Sequence, residues 1–260
     1  MQRISSKDNS LIKHIKRLKE KKYRDEYGEY AVEGLKLIKE AIQENADIRH
    51  IVVCDGCDNS EMIESHLKYE MARLDFIYVP QNIFKLLSDV ENPQGVLAVI
   101  SKPNKESDIN LNEDIILALD DIQDPGNLGT IIRSAVAFNV DTIIMSNNTV
   151  DLYNEKTIRA SEGMIFNINI LKEELISFIN NLKKKDYKIF GTNVNGGKLV
   201  NNLELPKKYA IIVGNEGSGV KKEILDMCDE HFYVPMNLKC ESLNVGVATS
   251  IILYEIDKYN

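Results

Sequence analysis

Polar and charged side chains gather with glycines in three segments of the second half of the chain. The first segment is DDIQDPGNLGTIIRSAVAF, where Asn127 and Arg133 are suited to binding a hydroxyl group or an anion. Pro125-Gly126 predicts a turn straight after a strand, so that Asn127 can cap a helix beginning near Leu128. Such a corner would present an amide and a guanidinium on one side. A capped helix with a surface arginine explains the same residues equally well.

The second segment, VGNEGSGV, looks like a phosphate loop but has the wrong spacing for one. A dinucleotide fingerprint needs G-x-G-x-x-G, whereas the glycines here are Gly214, Gly217 and Gly219. A P-loop ends in Gly-Lys-Ser/Thr, which Gly219-Val220 does not supply. Glu216 would also repel a phosphate in this turn. The loop therefore suits a cationic cofactor, such as a sulfonium, or an arginine partner.

The third segment, VPMNLKCESLNVGVATSIILYE, joins the end of a strand to a long apolar helix. Val234-Pro235 ends the strand, and Ser242 or Asn244 is a natural N-cap for the helix. For an isolated serine, capping alone is the simpler interpretation.

Together the three segments resemble, in order and spacing, the three motifs of SpoU-family (TrmH-type) RNA 2′-O-methyltransferases of the SPOUT superfamily. DPGNLGTIIRSA is similar to the first motif, IVGNEGSGV to the second, and VPM with SLNVGVA to the third. The resemblance covers residues 115–260 and includes DLYNEKTIRASEGMIF between the first two motifs. ISSKDNSLIKHIKRL, YAVEGLKLIKEAI and NPQGVLAV are similar to members with a small N-terminal α/β RNA-binding domain. Gly246, where many members carry serine, departs from the pattern outside the Ser-Leu-Asn triplet.

The resemblance implies an enzyme that transfers a methyl group from S-adenosylmethionine to a ribose 2′-hydroxyl of RNA. By analogy with similar two-domain members, rRNA is favoured over tRNA as substrate. The resemblance also implies a trefoil knot in the C-terminal domain and a homodimer with the active site near the subunit interface. Since the sulfonium already activates the methyl carbon, no metal is expected.

The resemblance implies roles for particular residues as well. It suggests that Arg133 helps to deprotonate the 2′-hydroxyl, but a guanidinium is almost always protonated. Binding the adjacent phosphate and stabilising the developing alkoxide is the chemically safer role. Asn127 and Glu216 would hold Arg133 and the ribose. The other candidates are Ser242 and Asn244 for catalysis; Thr192, Gly214, Val234, Met236 and Leu243 for the cofactor; and Lys13, Lys16, Arg17, Lys21 and Arg159 for RNA.

Gly214 and Arg159 are also interpreted from their residue types. Gly214 is expected to permit a close approach to the cofactor, because a side chain there would block it. Arg159 is interpreted as a phosphate contact, and a plain surface arginine is an equal alternative.

Two other functions fit parts of the pattern. A catalytically silent RNA-binding or ribosome-assembly protein could have the same fold, since fold does not determine function. It could lose the polar residues of the three loops without losing its core, so their presence argues against it. An NAD-dependent oxidoreductase fits an α/β pattern but not the glycine spacing.

The three segments need a scaffold that ends its strands at one edge. The runs IILALD, DTIIMS, YKIFGT and YAIIVG are apolar on both faces, which predicts a parallel sheet covered by helices. Ligands bind at the carboxyl ends of such strands. Helices are predicted over Leu128–Phe138, Lys172–Lys185 and from Asn244 onward.

The first hundred residues predict a separate, small α/β domain. Helices are expected from Leu11 through the following basic segment, over Val32–Asn45, over Glu61–Met71 and within IFKLLSDV, with strands IRHIVVC, LDFIYVP and GVLAVI. A polar stretch with no apolar periodicity follows. We therefore expect an RNA-binding domain over 1–103, a linker over 104–113 and a methyltransferase domain with the knot over 114–260.

Charge and cysteine usage bound the remaining possibilities. The net charge is −8, but residues 1–24 carry nine Lys or Arg against Asp8 and Glu20, which leaves −15 for the rest. A local basic patch can track a phosphate backbone, although a solvated helix face is the plainer alternative. Cys54 and Cys57 form a CxxC without a second ligand pair, so we expect reduced structural thiols. No apolar run has transmembrane length and no secretory signal is visible, which favours the cytosol.

Overall fold

The computed structural model describes residues 2–69, 73–103, 114–194, 196–237 and 239–258. The predicted linker 104–113 lies outside these residues. Contacts divide the described chain into two compact units. One contains the residues up to 103 together with Tyr153–Arg159, and the other contains 114–152 and the residues from Ala160 onward.

The first unit is a mixed five-stranded sheet with helices. Its strands lie in the order β1-β4-β3-β5-β2; β1, β4 and β3 run parallel, whereas β5 pairs antiparallel with both β3 and β2. The elements are β1 (Gln2–Arg3), α1 (Ser10–Arg17), α2 (Lys21–Tyr27), β2 (Glu29–Glu33), α3 (Leu35–Gln43), β3 (Ile48–Asp55), α4 (Ser60–His66), β4 (Phe76–Pro80), α5 (Gln81–Leu87) and β5 (Val96–Ser101).

The helix predicted from Leu11 is interrupted and becomes α1 and α2. The buried Arg24 donates hydrogen bonds to the carbonyl oxygens of Leu18 (2.8 Å) and Lys19 (2.7 Å). These bonds satisfy carbonyl groups at the end of α1, where a helix leaves its last acceptors unpaired. A buried side chain therefore stabilises a turn within a segment that is helical by periodicity.

The prediction of a helix over Val32–Asn45 was wrong at its start. Residues Glu29–Glu33 form β2, which pairs antiparallel with β5, and the helix begins only after Gly34. Gly34 has φ of +112°, a conformation that favours glycine and turns the chain from strand to helix. Strand pairing thus overrides a local helical pattern.

The prediction of reduced thiols at the CxxC was also wrong. Cys54, at the buried end of β3, and Cys57, in the turn that follows, form a disulfide with a Cα–Cα distance of 5.7 Å. The two residues pack beside Gly95 at the start of β5. The CxxC is therefore a cross-link between a strand and its turn in this structure.

The second unit is the predicted parallel sheet. Its seven strands lie in the order β10-β12-β9-β11-β6-β7-β8, and every neighbouring pair is parallel. The remaining elements in chain order are β6 (Ile115–Asp120), α6 (Pro125–Ala137), β7 (Thr142–Met145), α7 (Glu155–Ala160), β8 (Asn169–Lys172), α8 (Leu175–Lys183), β9 (Lys188–Thr192), β10 (Lys198–Leu199), β11 (Tyr209–Gly214), α9 (Lys222–Leu225), β12 (Glu230–Tyr233) and α10 (Val245–Asp257), with 3-10 turns at Met164–Phe166 and Val200–Asn202. Of these, α7 belongs to the first unit except for its last residue.

The predicted fold class is confirmed, but the helix predicted from Lys172 begins later in the chain. The four apolar runs form β6, β7, β9 and β11, and β6 and β11 are buried at nearly every position. Lys172 ends the edge strand β8 instead of starting a helix, and α8 begins at Leu175. No helix within the described parts of the chain is long and apolar enough to cross a membrane.

Two helices of the second unit, α6 and α10, pack against each other and carry parts of the first and third motifs. Ser134 of α6 and Ser250 of α10 are joined by a hydrogen bond of 2.7 Å. At Gly246 an added Cβ would lie 3.1 Å from the Thr130 Cγ2, so the absence of a side chain permits a close approach there. The two helices are thereby held side by side.

Candidate active site

The candidate cofactor residues lie along the carboxyl edge of the parallel sheet. β12, β9, β11 and β6 are consecutive neighbours in the sheet, and Gly214 is paired with Asp120 in register. Thr192 is paired with Phe232, two residues before Val234. Since neighbouring strands are about 4.8 Å apart, the ends of these strands form one continuous edge. This is the edge at which open α/β sheets bind ligands.

Asp124, and not Asn127, caps the helix of the first motif. The helix begins at Pro125, and the Asp124 carboxylate accepts hydrogen bonds from the backbone amides of Gly126 (2.7 Å) and Asn127 (3.0 Å). Aspartate before proline is a favoured start, because proline needs no hydrogen-bond partner at the first helical position. The prediction of an Asn127 cap was therefore wrong, and its side chain is available for another role.

Asn127 instead links the other two motifs. Its Nδ2 donates to Glu216 Oε1 at 2.9 Å, and its Oδ1 accepts from Asn244 Nδ2 at 2.8 Å. Asn244 is in turn the N-cap of α10, where its Oδ1 accepts from the Val247 amide at 3.2 Å. Three predicted catalytic residues, separated by 89 and 117 positions in sequence, thus form one hydrogen-bonded chain.

The Glu216 carboxylate is held ionised at this corner. It accepts hydrogen bonds from the backbone amides of Gln123 (3.1 Å) and Asp124 (3.1 Å) as well as from Asn127. Partial burial raises the pKa of Glu216, but these hydrogen bonds outweigh burial and hold the pKa below its usual range. A fixed negative charge therefore faces the start of α6.

The second motif folds into a tight turn that explains its first glycine. Asn215 and Gly219 exchange two backbone hydrogen bonds of 3.0 Å, and the Asn215 carboxamide accepts from the amides of Gly217 and Ser218. A Cβ on Gly214 would lie 2.1 Å from the Gly219 backbone. Gly214 is thus required by the return of its own loop, which is a different close approach from the predicted one to a cofactor.

An ion-pair cluster fastens this turn to the end of β6. Lys221 approaches both Asp120 (3.2 Å) and Asp121 (2.7 Å), and its backbone amide donates to Asp120 Oδ2 at 2.8 Å. Asp120 is fully buried, and Asn215 donates to the Asp121 carbonyl at 2.8 Å. Burial raises the pKa of Asp121, but the ammonium of Lys221 and neighbouring hydrogen bonds lower it overall.

Arg133 stands apart from this cluster. It is exposed on α6, and none of the described side chains makes an ion pair or hydrogen bond with it. Six helical residues rotate a side chain to about 120° from Asn127 and carry it about 9 Å along the axis. Asn127 and Glu216 are occupied with each other, so they do not hold Arg133 within one chain.

The third motif supplies partly exposed apolar side chains beside the strand ends. Val234, Met236 and Leu243 are half-buried, and Ser242 is exposed. Thr192 Oγ1 donates to the Ile212 carbonyl at 3.1 Å. Cys240 contacts this loop through its thiol and the Ser242 carbonyl at 3.1 Å. The third motif therefore presents an apolar surface, formed by Val234, Met236 and Leu243, next to backbone polar groups.

The RNA-binding candidates lie in the first unit, and their surroundings differ. Lys13 pairs with Asp8 at 3.1 Å, and Lys21 pairs with Asp25 at 3.3 Å. These pairs are exposed, so each is worth about 0–1 kcal/mol and yields readily to a phosphate. Among the described residues no carboxylate pairs with Lys16 or Arg17.

Arg159 is already engaged in the first unit. It forms an ion pair with Glu155 one turn earlier on α7, and its side chain is 45% exposed. Burial and a hydrogen bond with Asp89 raise the pKa of Glu155 to about 7, against the opposing effect of Arg159. The positive charge of Arg159 is therefore already partly neutralised by Glu155 and the neighbouring Asp89.

Several residues of the site were not identified from the sequence. The Asp-Pro pair before α6 was a usable signal for the Asp124 cap. No local pattern could reveal that Lys221 meets Asp120 across 101 residues or that backbone amides of Gln123 and Asp124 bind Glu216. Within the described residues, no three His, Cys, Asp or Glu side chains are placed to hold a metal ion.

Comparison with known proteins places both parts of the chain. Residues 114–254 match the SpoU rRNA Methylase family, and residues 9–98 match the MRM3-like substrate binding domain. The chain is 32% identical to the 23S rRNA (guanosine(2553)-2'-O)-methyltransferase RlmP of Bacillus subtilis, over 98% of this chain and 99% of that protein.

Solved structures agree with this assignment. An AdoMet-bound rRNA methyltransferase from Sinorhizobium meliloti is 28% identical and superposes with a TM-score of 0.87, covering 99% of this chain and 98% of that one. The AdoMet complex of the SpoU methyltransferase AviRb from Streptomyces viridochromogenes has the same TM-score at 24% identity, covers 96% and 98%, and shows the shared fold.

Proposed function

The chain belongs to the SpoU rRNA Methylase family, and we infer that it is an RNA 2′-O-ribose methyltransferase that uses S-adenosylmethionine and acts on rRNA. The observation that carries this function is the hydrogen-bonded chain of Glu216, Asn127 and Asn244, which unites the three motif loops at the carboxyl edge of the sheet. A silent copy would have no need to keep these polar groups joined in an exposed corner.

The residues at this edge fit S-adenosylmethionine chemically. The half-buried Val234, Met236 and Leu243 offer apolar surface for an adenine ring, and the strand ends offer backbone donors and acceptors. Thr192 and Gly214 border the same edge. When bound, this cofactor supplies a methyl group attached to a sulfonium, and the ionised Glu216 provides a complementary charge close by.

The residues of the hydrogen-bonded chain act by positioning. Glu216 is fixed by two backbone amides, so it holds the Asn127 amide in one orientation. Asn127 in turn fixes Asn244 at the start of α10. The exposed Ser242 hydroxyl, two residues earlier, orients the ribose or the cofactor. Such preorganisation lowers the barrier because the groups need not rearrange during reaction.

Arg133 is assigned to the RNA. As a permanently charged fork it binds the phosphate beside the target ribose and stabilises the developing alkoxide. Because it projects away from Asn127 within one chain, its role requires bound RNA or a second protomer to complete the site.

A homodimer meets that requirement. α10 packs on α6 and leaves Val247 and Tyr254 48% and 53% exposed, which supports an apolar interface on this helix pair. The trefoil knot expected of the family would thread the C-terminal segment beside the same interface. No metal takes part in the proposed reaction.

The substrate proposed is 23S rRNA. Support comes from the similarity to RlmP over nearly the whole chain and from the match of the first unit to a substrate binding domain. Within 23S rRNA a guanosine is the first nucleotide to examine, given the guanosine in the name of that relative. Lys13, Lys16, Arg17 and Lys21 would track the phosphate backbone, with Arg159 as a further contact. We place the activity in the cytoplasm, by analogy with that bacterial rRNA methyltransferase.

The decisive test of substrate is a map of 2′-O-methyl groups in total rRNA and tRNA with and without this protein. We expect a single position in 23S rRNA to lose its methyl group in the absence of the protein and to regain it on complementation. If a methyl group were lost only from tRNA, the substrate would be tRNA and not 23S rRNA. An unchanged map would favour the silent RNA-binding alternative.

Calorimetric titration separates the other alternative. S-adenosylhomocysteine is expected to bind in the absence of RNA, whereas NAD is expected not to bind. The opposite result would favour an oxidoreductase.

A further inference from the structure

We propose that a groove on the outer face of α1, lined by His14, Arg17 and Tyr27, with Tyr23 stacked behind Tyr27, is a subsite for an unpaired nucleobase of RNA. The proposal rests on the proposed RNA substrate and adds a contact of a different kind from phosphate binding. The groove is open to solvent and has a volume of about 490 Å³.

Aromatic rings and a guanidinium are stacked together at this groove. The His14 and Tyr27 ring centroids are 4.6 Å apart, and Tyr23 is stacked on Tyr27 at 5.9 Å. The Arg17 guanidinium lies 5.3 Å from the Tyr23 centroid and donates to the Tyr27 hydroxyl at 3.2 Å. Rings and guanidinium planes of this kind are the surfaces on which proteins stack splayed RNA bases.

The backbone keeps these groups in place. Ser10, Leu11, His14 and Arg17 line the groove from one face of α1, because residues three and four apart are neighbours on a helix. Tyr27 closes α2 immediately before Gly28, whose φ of +65° ends that helix. Part of the Tyr27 ring rests against the hydrophobic core of the unit, so the platform is anchored instead of mobile.

The charges around the groove suit a nucleic acid strand. Among the described residues no carboxylate pairs with Lys16, Arg17 or Lys22, and Lys22 lies over the Tyr23 ring at 5.5 Å. Two carboxylates lie close by: Glu29 is bound to His14 Nε2 at 2.7 Å, and Glu26 is near the Arg17 guanidinium. A strand could therefore place its phosphates on the lysines while one base enters the groove.

Stacking requires a base that is not already paired and stacked in a helix. The side chains of a duplex-binding surface contact phosphates and sugars, for which aromatic rings offer little. The inference is thus specific for single-stranded or looped RNA.

The test compares full-length variants by fluorescence anisotropy with a labelled single-stranded RNA of about 12 nucleotides, a length within the range of about 4–16 that small single-strand-binding domains occupy. The same sequence as a duplex is the second probe. Tyr27→Leu keeps apolar bulk against the core but removes the ring, and Tyr27→Phe keeps the ring. Tyr23→Leu gives an independent variant at a residue outside that core cluster.

We expect Tyr27→Leu to lower single-strand affinity about 5- to 150-fold, equivalent to about 1–3 kcal/mol for one stacked base. Tyr23→Leu, which removes the ring behind Tyr27, should lower it by a smaller factor, and both variants should affect the duplex less. Their salt slopes should stay unchanged, because no phosphate contact is lost. Lys16→Ala should instead reduce the slope by about 0.7. Tyr27→Phe and Tyr69→Leu, the latter at a tyrosine that is 85% exposed in the same unit, should bind like wild type.

Wild-type affinity for single strands in both leucine variants would overturn the proposal, as would an equal loss for single strand and duplex. Melting curves show whether each variant is folded. If Tyr27→Leu is unfolded, the RNA affinity of Tyr23→Leu decides whether the subsite exists. Methylation of rRNA by the wild-type protein is measured in parallel. If the wild-type protein methylates rRNA but the leucine variants bind single-stranded RNA as well as wild type does, the subsite alone is refuted. If binding depends on the tyrosine rings but the wild-type protein does not methylate rRNA, the proposed function alone is refuted.

Discussion

Asn127 is the residue on which the geometry of the site depends. It donates to Glu216 and accepts from Asn244, so one amide satisfies two motifs at once. A carboxylate of the same shape could still accept from Asn244 but would repel Glu216. The residue thus has to be an amide for electrostatic as well as steric reasons.

The exchange of amide and carboxylate between positions 127 and 216 tests this arrangement. We expect Asn127→Asp and Glu216→Gln each to weaken S-adenosylhomocysteine binding. The double variant should recover part of the loss, because the introduced glutamine amide can then donate to the introduced aspartate carboxylate. The carbonyl oxygen of that glutamine, at the Oε2 position, can still accept from the Gln123 amide, whereas the Asp124 amide loses its acceptor, so the recovery is incomplete. Calorimetry should give a coupling energy of about 0.5–3 kcal/mol. Strictly additive losses would show that the hydrogen bond does not matter to the cofactor site.

Arg133 is proposed to act in the methyl-transfer step and not in binding the cofactor. Arg133→Ala should lower kcat more than about tenfold, a loss above about 1.4 kcal/mol, with unchanged S-adenosylhomocysteine affinity, since no described residue of the cofactor edge contacts it. Arg133→Lys keeps the charge without the planar fork and should recover only part of the rate. Retention of most of the activity by the alanine variant would exclude a transition-state role.

At the scale of elements, the loop of the second motif is fixed by Lys221. This lysine brings its charge to the buried Asp120 and to Asp121, and so ties the turn after β11 to the end of β6. Without that ammonium, the Lys221 backbone amide would be the donor left to the buried Asp120 carboxylate among the described residues. The position of Glu216 depends on this attachment.

Lys221→Met should therefore destabilise the protein by about 1–3 kcal/mol, the cost of leaving a buried polar group without its partner. Lys222→Met, at the adjacent exposed lysine that starts α9, is the matched control and should have little effect. Urea unfolding followed by circular dichroism measures both. Equal midpoints for the two variants would mean that the ion pairs add nothing to stability.

The elements differ in how far local sequence could predict them. β6, β7, β9 and β11 were predictable because strands buried on both faces are continuous apolar runs. β2 was not, since YAVEGLKLIKEAI has helical periodicity and only pairing with β5 and the turn at Gly34 make its start a strand. The Asp120–Lys221 attachment had no local signal, because its partners meet through the sheet and not along the chain.

For the molecule as a whole, RNA binding and cofactor binding are proposed to reside in different units. The motif residues lie in the second unit and the basic residues of α1 and α2 in the first. The segment Tyr153–Arg159 is an exception, since it packs with the first unit. There Tyr153 lies against Tyr30 with ring centroids 4.4 Å apart and beneath the Lys102 ammonium.

A fragment of residues 112–260 should keep S-adenosylhomocysteine binding and dimerisation, because its sheet and the three motif loops are intact. Its RNA affinity and the salt dependence of that affinity should fall, by a slope of about 0.7–0.9 for each lost phosphate contact. Limited proteolysis should cut within 153–159 faster than in the full chain, since Tyr153 loses its partners. Full RNA affinity in the fragment would contradict the division of roles.

The most direct measurement is methyl transfer by the purified full-length protein from labelled S-adenosylmethionine to a 23S rRNA transcript, followed by nuclease digestion and mass spectrometry of the nucleosides. We predict one 2′-O-methylated nucleoside, which is absent when the target nucleotide carries a 2′-deoxy sugar and which forms more than about tenfold more slowly with Arg133→Ala. A methyl group on a base, or label that persists on the 2′-deoxy transcript, would contradict ribose methylation at this site.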